Sequence, residues 1–203
     1  MPQPREHHKP VKFSPNTFDQ NEGGLDPAFV AEVAHVTAAA VVHRGRSTNN
    51  TDIHRRLVEF TDTEGLDGLA ALWADAPPVT LPGALWRLYA LRAAVRTNPQ
   101  QFSRWFSAGR TTAQVSDVVA GVADPPGTQE ISTMANTVLN GAWTGDFDVA
   151  LERFAAFCRV SALGRIRLED HHGLTAIKAA RKLERTAEDL EAAARSWRAG
   201  TLS

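Results

Sequence analysis

Between Phe147 and Trp197 the apolar residues recur three and four apart. Phe147, Leu151, Phe154, Cys158 and Ser161 make one stripe, and Ile177, Leu183, Ala187, Leu190, Ala194 and Trp197 make a second. That spacing follows the 3.6-residue helical period and excludes a strand, whose faces alternate at every second residue. Asp146 supplies an N-cap acceptor before the first stripe, and His171-His172-Gly173 supplies a turn before the second. The pair therefore reads as an antiparallel helical hairpin. No other window alternates with period two, and Ala is abundant throughout, so the chain is expected to be all-α.

The segments upstream give further helices of unequal length. Asp26-Pro27 opens a helix to about His43, stopped by Gly45, with Phe29, Val33, Val36, Ala40 and Val41 as its expected core face. A helix after Thr51-Asp52 carries Ile53, Leu57 and Phe60, and a short one runs from Leu66 to about Asp75. Thr80 then caps a helix beginning at Leu81-Pro82, with Leu85, Leu88, Tyr89 and Val95 on one face and its end near Asn98. Asn98-Pro99 starts the next, which Gly109 is expected to end as a left-handed cap. Two more, Thr111 to Ala123 and Thr128 to Ala142, are separated by Asp124-Pro125-Pro126-Gly127. The expectation is a single-domain bundle of about eight helices over residues 26–200, since no Ser/Gly-rich linker divides it. Residues 1–25, with Pro2, Pro4, Pro10, Pro15 and Gly23-Gly24, cannot bury a periodic face and read as an extended arm.

Composition narrows the function classes. At 203 residues and 43% hydrophobic, the chain can bury a core, and 22 Lys+Arg against 23 Asp+Glu argue against a whole-molecule nucleic-acid binder. The single cysteine, Cys158, excludes an internal disulfide framework and a thiolate-rich zinc site, and its place on an apolar stripe reads as a small buried hydrophobe. The apolar run at residues 38–42, like every other in the chain, is far short of the ~20 residues a membrane span needs. A soluble cytoplasmic protein with no membrane partner is expected. Phosphate-cradling Gly-rich loops, GxGxxG, GxSxG and HExxH are all missing from the sequence, so no cofactor is implied and an enzyme is disfavoured.

The neutral total conceals a segregation of charge. Residues 57–86 hold the acids Glu59, Asp62, Glu64, Asp67 and Asp75 with no Lys or Arg, whereas residues 76–116 hold Arg87, Arg92, Arg96, Arg104 and Arg110 with no acid. These arginines are interleaved with Trp86, Tyr89, Phe102, Trp105 and Phe106. Planar guanidinium forks among aromatics are the composition of interface hot spots and of single-stranded nucleic-acid grooves. Arg87, Arg92, Arg96, Arg104, Trp105 and Arg110 are therefore the candidate surface for an acidic or helical protein partner. Nucleic acid is the less favoured ligand, and a homodimer through the C-terminal hairpin is a further expectation. The competing reading folds the acidic and basic segments onto each other.

Two Glu-x-x-His pairs, Glu32 with His35 and Glu169 with His172, place both side chains on one helix face and form half of a carboxylate-bridged di-metal site. A metal-dependent helical enzyme is the alternative they suggest. Arg165 followed by His171 resembles the arginine, short gap, histidine signature of small all-α toxin ribonucleases, with Ile166 where that signature has a polar residue. That resemblance implies phosphate stabilisation by Arg165 and acid-base work by His171, in an RNA-binding or RNA-cleaving module.

The stretches PREHHKPVKFSP, LWADAPPVTLPGALWRLYALRAAVR, GDFDVALERFAAFCRV and RTAEDLEAAARSWRAG resemble an uncharacterised actinobacterial family of all-helical proteins of about this length. Some of its members carry an RNA polymerase β-subunit label. The resemblance covers nearly the whole chain and brings no functional residues with it. From the residues themselves, the leading expectation is a non-enzymatic helical protein that binds an acidic or helical partner.

Overall fold

The computed structural model describes residues 26–47, 67–112, 128–144, 146–169 and 173–203, together with Arg55, Arg56, Glu59 and Thr63. The expected arm at 1–25, most of the helix after Thr51-Asp52 and the one over residues 113–123 lie outside these residues. The described residues are all-α, with helices α1 (Pro27–Ser47), α2 (Asp67–Trp73), α3 (Leu81–Thr97), α4 (Pro99–Thr112), α5 (Thr128–Thr144), α6 (Phe147–Leu168) and α7 (Leu174–Arg198).

The hairpin forms, the first stripe buried as expected and the second only in part, since Ile177 is left 39% exposed while Ala180 is buried. Phe147, Leu151, Phe154, Cys158 and Ser161 are all fully buried, and α7 lays Ala180, Ala187, Leu190 and Ala194 against α6. Small side chains on α7 let the two helices approach closely. The antiparallel sense follows from the cross-contacts: Trp197 stands edge-on to Phe147 at 4.9 Å, and Arg159 bonds Glu191 at 2.7 Å. Asp146 occupies the N-cap of α6, but its side chain makes no capping hydrogen bond. Thr80 does cap α3, accepting from the Gly83 N–H at 3.2 Å, and Leu85, Leu88, Tyr89 and Val95 are buried as expected.

Two expectations are corrected. The buried face of α1 is Ala34, Ala38 and Val42, whereas Phe29 and Val36 are 54% and 62% exposed. Small residues at four-residue spacing allow α1 to lie close against α3, and the larger side chains are left outside. Gly109 does not end α4, which continues to Thr112. Gly109 instead faces Gly164 of α6, where the two backbones come within the space a Cβ would fill. The core built on these contacts runs continuously from Ala34 of α1 to Ala194 of α7.

Candidate functional site

The amphipathic character of α4 decides where its aromatic residues go. Phe102, Trp105, Phe106 and Gly109 share one face, and that face packs on α6, with Phe157 stacked between Phe102 at 5.8 Å and Phe106 at 5.4 Å. Trp105 is consequently 5% exposed, and its indole edge points along α6 to Glu169. The Trp105 Nε1–H donates to Glu169 Oε1 at 2.9 Å, and Arg165 Nε donates to Glu169 Oε2 at 3.0 Å. The Arg165 guanidinium also lies over the Trp105 ring, 4.3 Å from its centroid. Indole, carboxylate and guanidinium thus close on one another, combining a charge-assisted pair with a cation–π contact. Trp105→Phe, which removes the indole donor together with part of a packed ring, should lower stability by about 2–3 kcal/mol, because a half-buried carboxylate oxygen loses its partner and the site loses volume. Urea denaturation should show an earlier midpoint at unchanged slope.

Arg104, on the opposite face of α4, is exposed. It borders an open cleft of about 680 Å³ between the α3–α4 corner and the C-terminal end of α6, with Asn98, Gln101, Leu168 and Glu169 among its lining. Of the candidate partner-binding residues, Arg104 and Trp105 are therefore neighbours, but Trp105 offers only an edge. Arg96 is exposed at the end of α3, and Arg110 is half-buried at the end of α4.

Arg87 and Arg92 are not outward-facing, which corrects the sequence expectation. Arg87 pairs with Asp189 of α7 at 3.0 Å and donates to the Gly83 carbonyl at 3.0 Å. Arg92 is 5% exposed and donates to Asn136 Oδ1 of α5 at 2.8 Å. Burial lowers the Arg92 pKa and, more strongly, raises that of Tyr89 beside it, whose hydroxyl has no hydrogen-bond partner among the described residues. The bonds described for these two arginines run to α7, to α5 and to the α3 backbone. Glu59 bonds Arg55 at 2.9 Å, Asp75 is exposed, and Asp62, Glu64 and the Asp67 side chain lie outside the described residues.

The first Glu-x-x-His pair and Glu169 of the second do not meet. His35 shares a cleft with Trp197, at the end of the hairpin where Trp197 packs on Phe147. Glu169 lies 22 residues beyond Phe147 at the other end of α6. A continuous helix of that length rises about 33 Å, so His35 and Glu169 are more than ~20 Å apart, against the ~4 Å between metals of a dinuclear centre. Glu32 is exposed, both Glu169 oxygens are engaged, and His172 lies outside the described residues. Among the described residues no group of three or more His, Cys, Asp or Glu is placed to hold a metal ion. The ribonuclease-like pairing changes in the same way, since Arg165 is committed to Glu169 and His171 lies outside the described residues. Burial pushes the Cys158 thiol up to about 12, which leaves it a packed, protonated side chain.

Sequence reasoning missed a second feature. At the end where α6 passes into α7, Leu163, Ile166, Leu168, Leu174 and Ile177 are 37%, 38%, 43%, 74% and 39% exposed. Around them Arg167, Lys178, Arg181 and Lys182 are also exposed. Leu168 belongs both to this group and to the Arg104 cleft, so the two features share one end of the molecule. No described helix is long and apolar enough to cross a membrane. No family model matches the chain, and neither the curated proteins nor the solved structures include one that matches it.

Proposed function

We propose that the chain is a helical interaction protein that binds an acidic, amphipathic helical segment of a protein partner at the α6–α7 turn end. One observation carries the reading: exposed aliphatic side chains and exposed cations coincide there, on a chain whose formal net charge is -1. A third helix laid along the α6–α7 seam would bury Leu163, Ile166 and Ile177 with its own apolar stripe. Its flanking carboxylates would meet Lys178 and Arg181, and Arg104 would extend the cationic rim across the neighbouring cleft. Clustering on one end makes long-range attraction possible without a basic molecule. A cytoplasmic setting accords with a lone cysteine kept as a buried thiol.

A fluorescein-labelled synthetic helix with leucines at i, i+3 and i+7 and glutamates flanking them tests this by anisotropy. Binding near 10 μM is expected, in the range of about 7 kcal/mol typical of a modest interface. The double reversal Lys178→Glu with Arg181→Glu should weaken it at least about tenfold at an unchanged melting temperature, because both side chains are exposed. Equal binding of a lysine-flanked version of the same peptide would refute the proposal. So would tighter binding of a mixed single-stranded RNA pool with a steep salt slope, which would mark a nucleic-acid surface instead.

A further inference from the structure

The cleft of about 680 Å³ between the α3–α4 corner and the C-terminal end of α6 gathers Arg104 with the carboxamides of Asn98 and Gln101. Pro99 and Leu168 add apolar surface to the lining, and Glu169 adds a carboxylate. We infer that this cleft binds a small organic monocarboxylate, gripped by the Arg104 guanidinium with its apolar body against Pro99 and Leu168. The volume lies within the range of small-molecule sites, in which a few polar groups set among apolar ones fix the ligand's orientation.

The frame is built before any ligand arrives. The Asn98 N–H donates to the Ala94 carbonyl at 3.1 Å, and the Asn98 carbonyl accepts from the N–H groups of Gln101 and Phe102, each at 3.2 Å. These bonds lock the corner between α3 and α4. The Trp105 Nε1–H, donating to Glu169 Oε1 at 2.9 Å, ties α4 to the end of α6.

Charge selects the ligand class. Glu169 is the one anion in the lining, and each of its oxygens already accepts an N–H, one from Trp105 and the other from Arg165. The Arg165 guanidinium thereby offsets its charge. Arg104 is exposed and makes no hydrogen bond or ion pair with any described residue, so its positive charge is the uncompensated one. A planar guanidinium matches one carboxylate through two parallel N–H donors, and the N–H groups of the Asn98 and Gln101 carboxamides can serve the remaining lone pairs. A second negative charge on the ligand would meet Glu169 with no cation left to answer it, which favours a monoanion over a phosphate dianion or a dicarboxylate. The inference does not rest on helix binding at the α6–α7 seam, because a ligand of this size needs neither Lys178 nor Arg181.

Benzoate is the probe, titrated into the full chain and followed by amide and indole N–H chemical shifts. Saturable shifts are expected at the side-chain amides of Asn98 and Gln101 and at the Trp105 indole N–H, with half-saturation at about 1 mM. Benzamide, of the same shape without the charge, should bind at least about tenfold more weakly. Arg104→Gln should cause a similar loss of benzoate binding, and Arg104→Lys, which keeps the charge but not the fork, a loss of about threefold. Shifts centred elsewhere, benzamide or inorganic phosphate binding as tightly at the same signals, or undiminished benzoate binding by Arg104→Gln overturns the inference. The benzamide and phosphate comparisons use the unaltered chain, so they decide even if Arg104→Gln disturbs the fold. A failure of the labelled helix to bind would leave these results untouched, and the reverse holds as well.

Discussion

Gly164→Ala should lower the melting temperature by about 10 °C, equivalent to roughly 4 kcal/mol for a chain of this size. A Cβ at this position would stand 2.6 Å from the Trp105 carbonyl carbon and 2.7 Å from the Gly109 nitrogen. A Cβ at Gly109 would stand 2.8 Å from the Val160 carbonyl carbon. These are backbone atoms, so no rotamer change relieves the overlap, and α4 must move off α6. Such movement opens the Phe102, Phe106 and Phe157 stack. Alanine's higher helix propensity works the other way, but by only about 1 kcal/mol. Thermal unfolding of Gly164→Ala decides between the two effects: a melting point equal to or above that of the parent would mean that the helices do not cross this closely.

The second large effect is expected at Arg92. Arg92→Glu should cost about 3–5 kcal/mol, because it buries an anion where a cation bonded to Asn136 stood and turns a donor into an acceptor opposite the Asn136 oxygen. Arg92→Met, which keeps the length and drops the charge, should cost less, about 1–2 kcal/mol for the lost hydrogen bond. Arg96→Glu, one turn on and exposed, should cost less than Arg92→Glu because the new charge stays in water. Urea denaturation of the three variants gives the order directly. If Arg92→Glu is as stable as Arg96→Glu, the inward placement of Arg92 is wrong.

These predictions mark where the sequence was legible and where it was not. The stripes of α3 and α6 could be read because each carries large apolar residues at helical spacing and polar ones elsewhere. On α1 the apolar residues lie on several faces, and the choice fell to Ala34, Ala38 and Val42 because close approach to α3 rewards small side chains. That reward exists only when the partner helix is known. Gly109 misled for a related reason. Locally a glycine signals a helix end, whereas here it permits contact with a helix more than fifty residues further on. The arginine count misled for Arg87 and Arg92 because charge segregation along the chain is not segregation in space. Arg87 reaches Asp189, 102 residues away, and Arg92 reaches Asn136, 44 residues away, beyond any window used to tally charge. The exposed aliphatic group was partly visible, since Leu163 and Ile166 fall off the stripe that runs through Phe147 and Ser161. The expected helix face named the core but did not ask what the remaining large side chains were for.

The alanine-lined contact between α6 and α7 has one more consequence. A surface of methyl groups is smooth, and a smooth surface lets two rods slide past each other by a full turn at little loss. The charges along the seam act as a vernier against that sliding. Arg198 meets Asp148 at 2.6 Å and Glu152 at 2.7 Å, while Arg159 meets Glu191 at 2.7 Å. A slip of about four residues, one turn, would bring Arg159 beside either Ala187 or Arg195, trading attraction for nothing or for repulsion. Each exposed pair adds little to the depth of the folded well. Together they index the two helices to one another, and so fix which aliphatic side chains end up side by side at the turn.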